Sequence, residues 1–408
     1  MRISTSSIYN ANVSLLNQQQ SQLLHTQQQI ATQRRLLTPA DDPIAAARVL
    51  KLSQADATNS QYAINRNAVQ HSASLAESVL QSVTNLLQDV RTIAVNAGNG
   101  ALNHSDKQTL ATDLSGRLDE LLSLANSTDG VGNYLFSGFQ GRTQPFSNDI
   151  AGVQYQTDDG QRMIQVGSSR QLAASDSGAD IFMRVKNGNG TFIAKAATAN
   201  TGSGIVSQGA VTDPALLTGN NYQVTFSVAA GVTTYGVTNI TPGASVPVPV
   251  APGTPYVSGQ AISFDGLQFD ITGSPVNGDV FTAAPSTNES IFETISNLIT
   301  ALRTPNPLGG AVAAAEFTNS NNQALNSLDR GIDNVSTVRT SLGSRLRELD
   351  SLQNAGESMG VQFKQTISQL QDVDLNKAIS DLTQQQITLE AAQKSFLAVS
   401  GLSLFDFM

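Results

Sequence analysis

Residues 375–399 read LNKAISDLTQQQITLEAAQKSFLAV, and within them Leu375, Ala378, Leu382, Gln385, Leu389, Ala392, Phe396 and Val399 recur in alternating steps of three and four. That spacing lines one face of an α-helix. Sustained over successive heptads, it marks a helix that packs along its length on other helices. Near the other end Leu16, Leu23, Ile30 and Leu37 repeat every seventh residue, with Gln20, Gln27 and Arg34 at the intermediate places. Burying one leucine contributes ~1.5–3 kcal/mol, while fixing each residue's backbone costs ~1–2 kcal/mol, so a single narrow seam roughly breaks even. Seams at both ends therefore imply terminal helices that are poorly ordered alone and form when sister molecules cover them. The simpler alternative is an antiparallel pair of terminal helices closing one domain. Leu16, Leu23, Ile30, Leu37, Leu375, Leu382, Leu389 and Phe396 are the expected subunit-packing residues.

Inward from these ends the texture changes twice. After Asp42 as cap and Pro43 at the first helical position, Leu75, Val79, Val83, Leu86, Val90, Ile93 and Ala97 share one helix face, which Gly98 and Gly100 end. A second helix, opening at Ser105 or Asp106, carries Leu110, Leu114, Leu118, Leu121 and Ala125. Past residue 140 the period shortens. Val153 and Tyr155, then Met163, Ile164 and Val166 across Asp158-Asp159-Gly160, read as a β-hairpin, and Thr191 to Ala284 reads as an all-β insert. A short helix opens near Asn288, Pro305 and Pro307 separate it from the next, and a long helix carries Leu325, Leu328, Ile332, Val335, Leu342, Leu346 and Leu349, with Arg339 as the single interruption. Each helix buries only a stripe, so segments from the two halves must pair. The expected fold is α+β and multidomain. Residues 1–40 and 370–408 form terminal coiled-coil segments, 41–141 and 287–369 a helical-bundle rod, and 142–286 an inserted β-rich outer domain. Pro39 and Pro43 disfavour helix at the residues before them, so the chain kinks between seam and rod, with Pro39, Asp41, Asp42 and Pro43 framing the joint.

Composition narrows the function classes. Charged residues make up 13% of the 408, with a net charge of -9, against a usual ~25% charged. Acidity argues against a nucleic-acid or anionic-membrane surface, and sparse charge suits dense self-packing. With no Cys, disulfide frameworks and thiolate metal sites are excluded. No run approaches the ~20 apolar residues of a membrane span, and the opening residues lack the apolar core of a cleaved signal peptide. Export, if it occurs, is expected by another route.

Candidate chemistry mostly dissolves. His25, His71 and His104 lie on separate expected elements and match no metal-ligand spacing. Gly188 and Gly190 lack the Gly-Lys-Ser/Thr close of a phosphate loop and read as a turn. Asp158 and Asp159 are adjacent turn residues, poorly placed for paired acid-base work. Asp265, Asp270 and Asp279 lack the compact spacing of a calcium loop. No cofactor or metal is called for.

The run Ile30-Ala31-Thr32-Gln33-Arg34-Arg35 through Thr38-Pro39-Ala40-Asp41-Asp42-Pro43-Ile44-Ala45-Ala46-Ala47-Arg48 resembles the N-terminal signature of the flagellin superfamily, in the form its hook-filament junction members carry. The ending Ser403-Leu404-Phe405-Asp406-Phe407-Met408 is similar to that family's C-terminus, and Gly132-Asn133-Tyr134-Leu135-Phe136-Ser137-Gly138, Pro145-Phe146 and Gly273 to Phe281 are similar to interior segments of its members. The resemblance implies a structural subunit of an extracellular tube, with paired terminal helices (Leu16 to Leu37 and Leu375 to Val399) lining the inner core, disordered in the free subunit. It implies as partners other copies in a ring, a neighbouring hook-associated protein on the hook side, flagellin on the filament side, and an export chaperone with its export apparatus. Gln33 departs from the glycine usual there; a helix running through it would stiffen the link. Flagellin itself is the second reading, and a secreted enzyme carried by the β insert the third, though no constellation of nucleophile, base and oxyanion donors supports it.

Overall fold

The computed structural model describes residues 5–150, 152–241, 249–304 and 309–401, and the side chains of these except 5, 6, 8 and 399–401. Pro305, Pro307, the closing Ser403–Met408 motif and the side chain of Val399 lie outside the described residues. Helix α1 (Thr5–Thr32) is followed by α2 (Pro43–Ala97) and α3 (His104–Ala125); after a β-rich stretch come α4 (Ile291–Arg303), α5 (Gly310–Gln371) and α6 (Leu375–Gly401). The α+β architecture expected from the alternating periods, terminal helices around a central β-rich region, is the one observed.

The chain divides into two compact units, one of residues up to Arg66 together with those from Asp350 onward, the other of Asn67–Leu349. In the second unit the stripes of α2, α3, α4 and α5 meet in one core, with Leu80, Leu87, Val90, Leu114, Leu121, Ile295, Leu298, Leu328 and Val335 buried. Arg339, the interruption in the α5 stripe, turns its guanidinium to Glu77 on α2 at 2.9 Å. Helix α3 begins at His104, one or two residues earlier than expected. Asn103 caps it, and Asp106 returns the bond to the Asn103 N–H as a capping box, so the signal was an Asn-x-x-Asp box in place of Ser or Thr with Glu. Ser290 caps α4.

Residues 146–155 and 163–173 correct the expected single hairpin. Phe146–Asp149 pairs with Gly152–Tyr155, and Met163–Gly167 with Arg170–Ala173, giving two hairpins. Asp158 does not turn one strand into the next. Its carboxylate accepts from the backbone N–H groups of Phe139 (2.9 Å), Gln140 (3.2 Å) and Gly160 (2.8 Å), tying the loop before these strands to the loop between them. Phe146 packs on Phe182 and Phe292 with ring centroids 5.4 and 5.3 Å away, and Phe136, Ile181 and Val185 join the same helical core. Residues 142–286 thus do not share a single core. Phe192, Tyr222, Val224, Phe226, Phe269 and Phe281 form a separate one.

That second core lies under an antiparallel five-stranded sheet ordered Val250–Pro255, Val232–Asn239, Tyr222–Ala229, Val280–Pro285 and Phe192–Ala196. A smaller sheet centres on the hairpin Ala261–Phe264 with Leu267–Thr272. Its turn, Asp265-Gly266, takes φ of 44° and 77°, the left-handed pair that a two-residue hairpin requires and that Asp-Gly supplies at low cost. No helix among the described residues is long and apolar enough to cross a membrane.

Candidate functional site

The candidate residues gather in the unit built from both chain ends. Helices α1 and α6 run antiparallel: Tyr9 lies against Phe396 with ring centroids 5.3 Å apart, and at the other end Arg34 pairs with Asp372. Stepping inward by heptads from the aromatic pair brings Leu16 to the level of Leu389 and Leu23 to the level of Leu382. All four are half-buried, as are Ile30 and Phe396, whereas Leu375 at the end of the seam is exposed. The two seams expected to wait for other molecules therefore face each other within one chain, because both are apolar every seventh residue and run in opposite directions.

The intermediate positions differ from the reading by i+4 steps. Gln20, Gln27 and Arg34 are exposed; Gln19 and Thr26, one residue earlier, turn inward, Thr26 being buried and donating its hydroxyl to the Gln22 carbonyl at 3.1 Å. The opposite face of the seam carries Ala378, Gln385 and Ala392. A seven-residue repeat alone cannot say whether the alternate contact lies three or four residues on. The partner helix decides.

With its inner stripe occupied, the pair still exposes apolar side chains outward. Leu15, Leu24, Ile379, Ile387 and Leu397 are 49, 52, 52, 58 and 68% exposed. Sequence reading passed over these because they fall off the heptad. Their signal was composition: isoleucine and leucine on the outer side of helices otherwise clad in Gln, Ser and Thr.

The joint is built from backbone groups and two carboxylates. Helix α1 stops at Thr32, so Leu37 is not on its seam; Leu36 is the buried residue there and Leu37 is half-buried. Gln33 ends the helix at φ 56°, so the chain breaks at Gln33 and does not continue through it. The Arg35 N–H donates to the Gln371 carbonyl (2.7 Å), the Val373 N–H to the Gln33 carbonyl (3.1 Å), and the Arg35 guanidinium to the Leu370 carbonyl (2.7 Å). These bonds clasp the α1–α2 link to the α5–α6 link. Asp41 accepts from the N–H groups of Leu37 and Thr38, both at 2.8 Å. Those backbone donors, Thr38 first, hold its carboxyl below the usual value of 3.8. Asp42 accepts from Ala45 N–H at 3.0 Å and caps α2 just ahead of Pro43. Pro39 is an exposed turn residue.

Other candidates have structural partners. Asp279 is buried and accepts from the N–H groups of Thr201, Gly202 and Val276, while Asp265 accepts from the Tyr222 hydroxyl. His25 lies 3.8 Å from Asp41 at the joint. Among the described residues no group of three or more His, Cys, Asp or Glu side chains is arranged to hold a metal ion.

Comparison with known proteins bears on the same segments. The bacterial flagellin N-terminal helical region matches residues 3–141, the bacterial flagellin C-terminal helical region residues 325–399, and the D2-like domain of flagellar hook-associated protein 1 residues 195–285. Flagellar hook-associated protein 3 of Salmonella typhimurium is 32% identical over 411 residues, covering 100% of this chain and 99% of that protein. The crystal structure of the flagellar junction protein FlgL from Legionella pneumophila superposes with a TM-score of 0.71 at 32% identity, over 80% of this chain and 100% of that one. Flagellin B of Vibrio cholerae is 25% identical over 80% of this chain and 77% of its own length.

Proposed function

Because the chain belongs to the flagellar hook-associated protein 3 family, we propose that the paired helices α1 and α6 are its assembly element. The chain is a structural subunit of the bacterial flagellum, at the junction of hook and filament. The observation that carries the assembly reading is the outward apolar set. Leu16, Leu23, Ile30, Leu382, Leu389 and Phe396 are committed to the intrachain seam, so Leu15, Leu24, Ile379 and Ile387 are the groups left for neighbours. Each such leucine or isoleucine, fully covered, contributes ~1.5–3 kcal/mol, and repetition around a ring multiplies the gain.

In this reading the partners are other copies of the chain in a ring, a hook-associated protein on the hook side and flagellin on the filament side. Delivery to the cell exterior through the flagellar export apparatus, with a chaperone shielding the same apolar set, belongs to the proposal. So does a division in which residues 1–40 and 370–408 form the inner element, 41–185 with 287–369 the rod, and 192–283 the outward β domain; the boundary moves from 142 because Phe146 and Phe182 pack in the helical core. We assign the β domain no catalytic role. Its acidic side chains Asp265 and Asp279 are engaged with Tyr222 and with backbone donors.

Fluorescent labelling of an introduced surface cysteine on intact cells tests the reading. One spot at the base of each filament is expected. Signal along the whole filament would instead support flagellin. The triple variant Leu15→Asn, Leu24→Asn, Ile387→Asn is expected to keep its helical content in solution and to lose the spot.

A further inference from the structure

Buried in the α1–α6 seam is one layer that the apolar repeat does not explain. The amide oxygens of Gln19 and Gln385 are both inaccessible to solvent and have no hydrogen-bond partner. Continuing the alignment fixed by Tyr9 with Phe396 and by Arg34 with Asp372, Gln19 and Gln385 fall at the same level, between the Leu16–Leu389 and Leu23–Leu382 layers. The neighbouring intermediate layers set Asn12 opposite Ala392 and Thr26 opposite Ala378. Gln19–Gln385 is thus the layer in which long polar side chains come from both helices. A buried carbonyl without a donor is destabilising, because it gives up its hydrogen bonds to water and gains none. An amide carries donor and acceptor on one planar group, so half a turn of either side chain aims its N–H at the other's oxygen.

We propose that Gln19 and Gln385 hydrogen-bond across the seam and that this layer fixes the register of the helix pair. The leucine layers cannot do so. A slip of one heptad sets Leu16 against Leu382 or Phe396, apolar on apolar in either case. It also strands the Gln19 amide, which then faces Ala378 or Ala392, and leaves Gln385 only the shorter Asn12 or Thr26 to reach for. A single polar layer that discriminates between otherwise equivalent registers is a known economy of coiled coils, obtained at some loss of stability. The clasp at Arg34 and Asp372 sets the register at one end of the pair, and the glutamine layer holds it along the helices. The inference rests on the helix pair itself and stands apart from the flagellar role.

The chain has no cysteine, so engineered pairs report register directly in the full-length protein. Leu16→Cys with Leu389→Cys samples the observed level; Leu16→Cys with Leu382→Cys, or with Phe396→Cys, samples slips that lie one heptad, about 10.5 Å, along the helix. In the Gln19, Gln385 background the first pair is expected to oxidise and the slipped pairs to stay reduced, within and between copies on a non-reducing gel. In Gln19→Leu, Gln385→Leu the slipped disulfides are expected to rise by about threefold or more as discrimination is lost; a smaller rise overturns the proposal. Amide hydrogen exchange over residues 12–26 gives a second measure that needs no cysteine. Each single leucine variant should exchange faster than the parent and the double variant more slowly than either single. A double variant as fast as, or faster than, the singles overturns the cross-seam bond.

Discussion

Gln33 occupies the left-handed backbone region at φ 56° while exposed to solvent, a conformation that costs a side-chain-bearing residue about 1–2 kcal/mol relative to the right-handed helix. Its place is set by the clasp, whose bond from Val373 N–H to the Gln33 carbonyl needs the helix to have ended. Gln33→Gly is therefore expected to be neutral or stabilising by up to ~1 kcal/mol, the relieved strain being partly offset by a looser unfolded chain. Gln33→Val should cost about 1–2 kcal/mol, since branching at Cβ crowds that region further. As a control, Gln20→Gly in the exposed middle of α1 should lose ~1 kcal/mol. Urea unfolding followed by hydrogen exchange in α1 measures all three, and equal losses at 33 and 20 would contradict the assignment of the break. Asp41 adds a pH signature. Its carboxyl is held below 3.8 by the Thr38 and Leu37 N–H groups, so its contribution is fully present above the ordinary carboxylate value and is lost as pH falls through the lowered folded value. Protection of the Leu37 and Thr38 amides should accordingly decline on acidification below about pH 4, and Asp41→Asn, which keeps an acceptor oxygen, should flatten that dependence.

Elements were legible where their signal is local. The heptads of α1 and α6 and the Asp42-Pro43 start of α2 each follow from a handful of adjacent residues. What the sequence could not disclose depended on distant partners. Whether Gln19 or Gln20 turned inward was decided by α6, more than 350 residues on. The pairing of Gly152–Tyr155 backward and Met163–Gly167 forward was decided by Asp158 binding the N–H groups of Phe139 and Gln140. The outward apolar residues of the proposed assembly face were illegible for a related reason: only after the seam is filled does it become clear which leucines and isoleucines remain exposed. One non-local tie locks the hairpin region to α5. Arg345 meets Asp176 through two bonds of 3.0 Å with both side chains 12% exposed. Removing one partner leaves a poorly hydrated charge, so Arg345→Met should destabilise the Asn67–Leu349 unit by about 2–4 kcal/mol. Arg345→Met with Asp176→Leu should recover much of that loss. Calorimetric unfolding of the single and double variants checks it, and additive losses would show that the pair is not coupled.

At the scale of the whole molecule, the two units differ in what holds them. The Asn67–Leu349 unit owns both apolar cores, with aromatic clusters around Phe146 and around Phe226. The unit formed by the chain ends relies on one narrow seam, a backbone clasp and ties such as Asn59 Nδ2 to the Gly356 carbonyl at 2.7 Å. Local opening follows buried apolar contact, so the ends should open at lower free energy than the centre. Limited proteolysis of the purified monomer should cut first in α1, α6 and the link between Gln33 and Asp42, leaving a fragment that contains residues 67–349. A chain lacking 1–40 and 370–408 should keep a cooperative thermal transition within a few degrees of the parent's main one, because neither core loses a residue, yet fail to enter the flagellum. Scanning calorimetry and incorporation into filaments grown on cells lacking the native protein measure the two effects separately. A truncated chain that melts without a cooperative transition would mean that the ends complete the central fold. One that still incorporates would remove α1 and α6 from assembly.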